Sequence, residues 1–121
     1  MANSGGPSSP ALGPFEPTDH ELRISARIVF HIATQPRLGS KEPAPETLTQ
    51  AGIALATKAT QAAVAHALRR LIHGGLVKAE RRHVHGRGQQ VYAYQLTEDG
   101  ESLASHIRTS MAMLAASQGA E

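Results

Sequence analysis

Residues 60–77 read TQAAVAHALRRLIHGGLV, and the fold turns on this stretch. Thr60 is a good N-cap, because its hydroxyl can accept one of the backbone N–H groups that a helix leaves without a partner. Val64, Leu68 and Leu71 follow at i, i+4 and i+7, which places them on one buried stripe. Gly74-Gly75 then supplies a left-handed stop. A helix over about 60–73 is therefore predicted, with Gln61, Ala62, Ala65, His66, Arg69 and Arg70 on its outward arc.

Just before this helix, Thr57-Lys58-Ala59 reads as a three-residue turn. Ahead of that turn a short helix is expected from Thr47 to Ala56, with Leu48, Ile53 and Leu55 facing inward. On the other side the period changes from helical to alternating. Leu76 to Val84 and Gln90 to Leu96 read as strands, and the two glycines of His85-Gly86-Arg87-Gly88-Gln89 suit a tight reversal. Val91-Tyr92-Ala93-Tyr94 is the strongest β-former in the chain. These residues make a β-hairpin with a basic tip at about 84–90.

Thr97 caps a last helix, about 97–117, whose first turn carries Glu98, Asp99 and Glu101, where the helix dipole favours anions. Leu103, Ile107, Met111 and Leu114 form a stripe along it, longer than a small domain needs to cover. The stripe either closes over the chain's own core or packs on the same helix of a second copy, and the second arrangement is preferred. Towards the N-terminus, Thr18-Asp19-His20-Glu21 is a capping box. Leu22, Ala26, Val29 and Ala33 then recur beside Ile24, Ile28 and Ile32, which is wide enough for a helix packed on two sides. His31 on that helix is expected to be a partly buried, hydrogen-bonded histidine. Gln35-Pro36 ends the helix, and residues 37–46 read as a loop. Residues 1–17, with four prolines and three glycines, are expected to be a disordered tail. The ordered unit is expected over 18–117.

Composition narrows the function. The chain has 121 residues, 40% of them apolar, with no cysteine or tryptophan. A disulfide framework, a thiolate metal site and a cysteine nucleophile are excluded. No apolar run approaches a membrane span. The N-terminus has neither the basic nor the apolar segment of a signal peptide, so a cytoplasmic protein with no membrane partner is expected. The net charge of +2 is unevenly distributed. Residues 57–90 carry seven Lys or Arg side chains against Glu80 alone, a surplus of six, so the remainder is negative by four. A basic stripe confined to one segment is the footprint of a polyanion partner.

The order helix, loop, short helix, tight turn, longer helix, hairpin, helix is that of a winged helix-turn-helix, a mainly α fold with a β-hairpin (α+β). The residues also resemble a family. Thr60 through Leu71 followed by Gly75-Leu76-Val77 is similar to the recognition helix of MarR-type transcriptional regulators, and Leu96 through Ala104 (LTEDGESLA) resembles the segment that leaves the wing in the same family. The resemblance covers roughly 47–104. It implies a sequence-specific DNA-binding regulator, commonly a homodimer.

In that arrangement the longer helix enters the major groove of double-stranded DNA, and the wing lies on the backbone or in the minor groove. Gln61 and His66 can reach base edges, and Ala62 and Ala65 can touch thymine methyls or allow close approach. Arg69 and Arg70 meet phosphate or form a solvated helix face. Lys58 and Thr60 stand at the helix N-terminus, which attracts phosphate. Arg87, between two glycines, is shaped for a narrow minor groove, with His85 and Gln89 beside it. Arg81 and Arg82 alternate faces, so one at most meets DNA; Arg82 is the candidate, and the other is ordinary surface or pairs with Glu80.

Two rival readings are weaker. His83 with His85, and His66 with His73, share faces, but zinc wants three or four ligands and carboxylates nearby are sparse, so no metal site is expected. No nucleophile, base and orienting group are brought together, and no glycine-rich phosphate loop joins a strand to a helix. Neither an enzyme nor a cofactor is expected. The alternative to DNA binding is a winged-helix protein-interaction module of a larger assembly.

Overall fold

A computed structural model describes residues 18–119. The disordered tail expected at 1–17 lies outside the described residues. The first helix, α1 (Asp19–Ala33), begins at the capping box: Glu21 N–H donates to Thr18 Oγ1 at 3.1 Å and Thr18 N–H donates to Glu21 Oε1 at 3.0 Å. Its inner face is Ile24, Ile28, Val29 and Ile32, all buried. The second apolar row fares differently, for Leu22 is 52% exposed and only Val29 of that row is fully covered. His31 is half-buried with Nε2 2.8 Å from the Thr47 carbonyl oxygen.

A single 3-10 turn, Glu46–Leu48, precedes α2 (Gln50–Thr57). Two sequence expectations are corrected here. The helix starts at Thr49, whose hydroxyl accepts from Gly52 N–H, rather than at Thr47. Leu55 does not face inward but is 83% exposed. Thr49 is the cause of both: its backbone is extended (φ −86°, ψ 164°) between the 3-10 turn and α2, so a helical phase counted on from Leu48 does not carry through to Leu55. Ile53, Ala54 and Thr57 form the covered face instead.

Lys58 closes α2 in the left-handed region (φ 58°, ψ 38°), and Arg27 Nη1 donates to the Thr57 carbonyl at 3.3 Å, tying this turn to α1. Thr60 then caps α3 (Gln61–His73), accepting from Ala63 N–H at 3.1 Å. Val64, Ala67, Leu68 and Leu71 are buried, as the spacing predicts. The strands β1 (Val77–His83) and β2 (Gln90–Leu96) pair antiparallel, with Val77 opposite Leu96 and His83 opposite Gln90. α4 (Glu98–Gly119) leaves the hairpin from Thr97, whose hydroxyl accepts from Gly100 N–H at 3.1 Å.

One aliphatic core joins these elements. α1, Leu48, Ile53, the inner face of α3, the hairpin base (Val77, Ala93, Leu96) and Ala104 of α4 contribute to it. Burial of this kind, at about 25 cal/mol per Å² of apolar surface, is the main term holding such a unit together. Two glycines permit close approaches. A Cβ on Gly52 would lie 2.0 Å from the Glu46 carbonyl oxygen, and one on Gly100 would lie 2.0 Å from that of Leu76. The architecture is a winged helix-turn-helix: four helices and a two-stranded wing. Among the described residues no helix is long and apolar enough to cross a membrane.

Candidate nucleic-acid interface

α3 and the wing tip carry most of the residues in question. On α3, Gln61, Ala62, His66 and Arg69 are exposed, while Ala65 and Arg70 are half-buried. Lys58 and Thr60 are exposed at its N-terminal end, and Gln50 Nε2 donates to the Gln61 carbonyl at 3.3 Å. The outward arc is not uniformly free. Glu21 reaches across from α1, placing Oε2 3.3 Å from His66 Nε2 and Oε1 3.6 Å from Arg70 Nη2. Arg70 Nε is also 3.4 Å from His66 Nε2. A carboxylate therefore stands beside two of the groups expected on the open face, leaving Gln61, Ala62 and Arg69 as its solvent-facing part.

The wing has a reinforced edge. Ala44, in the segment between α1 and the 3-10 turn, forms a parallel bridge with Val84: Ala44 N–H donates to the His83 carbonyl at 2.8 Å, and His85 N–H to the Ala44 carbonyl at 3.0 Å. Arg82 fastens the same segment. Its Nη1 donates to the carbonyls of Gly39 and Glu42, both at 2.7 Å, and its Nε and Nη2 donate to Glu80 Oε1 at 3.0 and 2.8 Å. Arg82 is only 8% exposed. The expectation that Arg82 offers a contact is thus corrected: its guanidinium is spent on internal acceptors, and a buried charge left without them would be costly. Arg81, on the opposite strand face, is the exposed arginine, 5.8 Å over the ring of Tyr92.

At the tip, His85, Arg87 and Gln89 are all exposed, and Gly86 takes a positive φ of 83° that lets the chain reverse. Arg87 forms a two-pronged pair with Glu46 of the 3-10 turn, Nε to Oε1 at 3.0 Å and Nη2 to Oε2 at 2.5 Å. Hydrogen bonding to Arg87 holds the Glu46 carboxyl below the usual carboxylate range, and Glu46 raises the Arg87 guanidinium in turn. Neither this pair nor the Glu21 pairing was foreseen. Charge gave little signal for either, because residues 1–56 carry five acids against four Lys or Arg side chains, and their order does not say which cations Glu21 and Glu46 meet.

Two further regions border the interface. A cleft of about 390 Å³ opens between the end of α1, the hairpin base and α4, lined among others by Leu38, Lys78, Leu96, Glu101 and Arg108; Arg37 pairs with Glu101 at its rim. Beyond this cleft α4 projects, with Leu103 and Ile107 half-buried and Met111, Met113 and Leu114 58–67% exposed. Among the described residues no three His, Asp or Glu side chains converge on a point that would hold a metal ion.

No family model and no curated protein sequence matches the chain. Solved structures do. Two mutant structures of ZitR from Lactococcus lactis, one of them in apo form, superpose with TM-scores of 0.59 at 24% and 23% identity, covering 84% and 92% of this chain and 67% and 64% of theirs. A protein of unknown function from Listeria innocua gives 0.54 at 20% identity over 71% of this chain and 50% of its own. This chain therefore spans half the length of the Listeria protein and about two thirds of ZitR. The likeness establishes the fold.

Proposed function

We propose that this chain is a DNA-binding transcriptional regulator that sets α3 in the major groove of duplex DNA and its wing tip on the flanking backbone or minor groove. The observation that carries this reading is the coincidence, on a winged-helix frame, of a solvent-facing recognition-helix arc (Gln61, Ala62, Arg69) with an exposed basic wing tip (His85, Arg87, Gln89). Lys58 and Thr60 add phosphate contacts at the α3 N-terminus, and His66 and Arg70 join once a phosphate competes with Glu21. The MarR-type resemblance of residues 47–104 points the same way. The apolar stripe of α4 pairs with its counterpart in a second copy, giving a homodimer on a pseudo-palindromic site, because Met111, Met113 and Leu114 would otherwise stand in water. Basic residues provide salt-sensitive affinity, and α3 provides register. Regulation then works by occupancy of the site.

The test is fluorescence anisotropy with a labelled duplex of about 25 base pairs, titrated across salt. Micromolar binding that weakens steeply with salt is expected, since phosphate contacts release counterions. Arg69→Ala and Arg87→Ala should each weaken it. No binding at low salt, or unchanged affinity in both variants, overturns the proposal. The protein-interaction reading would then lead, and one observation favours it: Glu21 and Glu46 already neutralise part of the basic surface.

A further inference from the structure

We infer that Glu46 is an internal stand-in for a DNA phosphate, a latch that occupies the wing-tip Arg87 in the free protein and must be displaced when duplex binds. The inference rests on the DNA-binding reading above and specifies how that site is restrained. A carboxylate meeting both Nε and Nη2 of a guanidinium presents the same planar, two-pronged acceptor pattern that a phosphate would. Glu46 does this to Arg87 across 41 positions of sequence.

The pair can open, and the surrounding backbone need not. Both side chains are substantially exposed, Arg87 at 40% and Glu46 at 46%, so water and an incoming anion reach them. The Ala44–Val84 bridge and the Arg82 bonds to Gly39 and Glu42 meanwhile fix the rail on which Glu46 and the tip sit. Release is therefore a side-chain rotation of Arg87 rather than a movement of the wing. Glu21 is a poorer latch, because its carboxylate is also committed to the α1 capping box and its partner Arg70, half-buried, lies 3.6 Å away.

An exposed ion pair is a weak competitor, so the latch tunes affinity without blocking it. Displacing Glu46 also returns one carboxylate to solvent, where it takes up a cation and cancels part of the counterion release that Arg87 brings.

Glu46→Gln tests the latch. Glutamine keeps an oxygen for Thr49 Oγ1, which donates to Glu46 Oε2 at 3.1 Å, but removes the charge. In the duplex assay Glu46→Gln should tighten binding about threefold and steepen the log–log salt slope by up to about one unit. Removing any negative charge near DNA helps somewhat through space, so the deciding variant is Glu46→Gln in an Arg87→Ala background. There the gain should vanish, with urea unfolding showing each variant folded. An equal gain in both backgrounds overturns the latch and leaves the DNA reading standing. So does duplex binding by the parent protein that Glu46→Gln leaves unchanged or weakens. No duplex binding by the parent protein overturns both.

Discussion

Gly100→Ala sets two physical effects against each other, and the structure says which prevails. Helix propensity alone favours alanine by about 1 kcal/mol. The added Cβ, however, would lie 2.0 Å from the Leu76 carbonyl oxygen and 3.3 Å from Leu96 Cβ, against a floor of 3.0 Å for real contacts, so backbone must separate by at least 1 Å. Leu76 has little freedom to yield. Its N–H donates to Leu71 at 2.9 Å, and its carbonyl accepts Thr97 N–H at 3.0 Å. The adjoining Thr97 hydroxyl donates to the Gly75 carbonyl at 2.6 Å. Forcing α4 away costs about 1–3 kcal/mol in overpacking and leaves the Thr97–Leu76 hydrogen bond overstretched, a further loss of about 1 kcal/mol. After the propensity gain, the net is a destabilisation of about 2 kcal/mol. With a urea slope of about 1–3 kcal/mol per M, the unfolding midpoint should fall by roughly 1 M at unchanged slope. Gly74→Ala is the control: its Cβ meets nothing closer than the Arg70 carbonyl at 3.3 Å, and its midpoint should barely move. A Gly100→Ala midpoint equal to or above that of the parent would refute the close approach of α4 to the hairpin base.

Three other variants follow from the same geometry. Arg82→Ala should cost about 2 kcal/mol in urea unfolding, because the carbonyls of Gly39 and Glu42 lose their donor; Arg82→Lys should recover only part, since one ammonium cannot span acceptors held by a planar fork. Lys58→Gly should raise stability by about 1 kcal/mol by relieving a left-handed residue that carries a side chain, yet lower duplex affinity by removing a basic group, so that the unfolding midpoint and the binding titration move in opposite directions. Leu114→Glu on the projecting part of α4 should convert a dimer to a monomer in sedimentation, and an unchanged mass would refute pairing through this helix.

Most of the framework was legible in the residues. The capping box at Thr18 and Glu21, the Thr60 cap, the Val64–Leu68–Leu71 stripe and the two strands are each specified by neighbours within a few positions. The start of α2 was not, because Thr47 and Thr49 are equally good caps locally. Burial of Leu48 and the approach of Gly52 to the Glu46 carbonyl choose Thr49, and both depend on what packs above. Segment 37–46 likewise reads as a plain loop, although its Ala44 extends the wing edge.

The candidate surface divides along the same line. Amino-acid order sufficed to place Gln61, Ala62 and Arg69 on an outward helical face and Arg87 at a hairpin tip, since helical and strand periods are local. Which cations remain available was decided by tertiary packing alone. Arg82 turns inward onto Gly39 and Glu42, Glu21 meets His66 and Arg70 from another helix, and Glu46 meets Arg87 from another turn. These partners lie some 40 or more positions apart, and their meeting depends on how helices and hairpin dock, which no periodicity encodes.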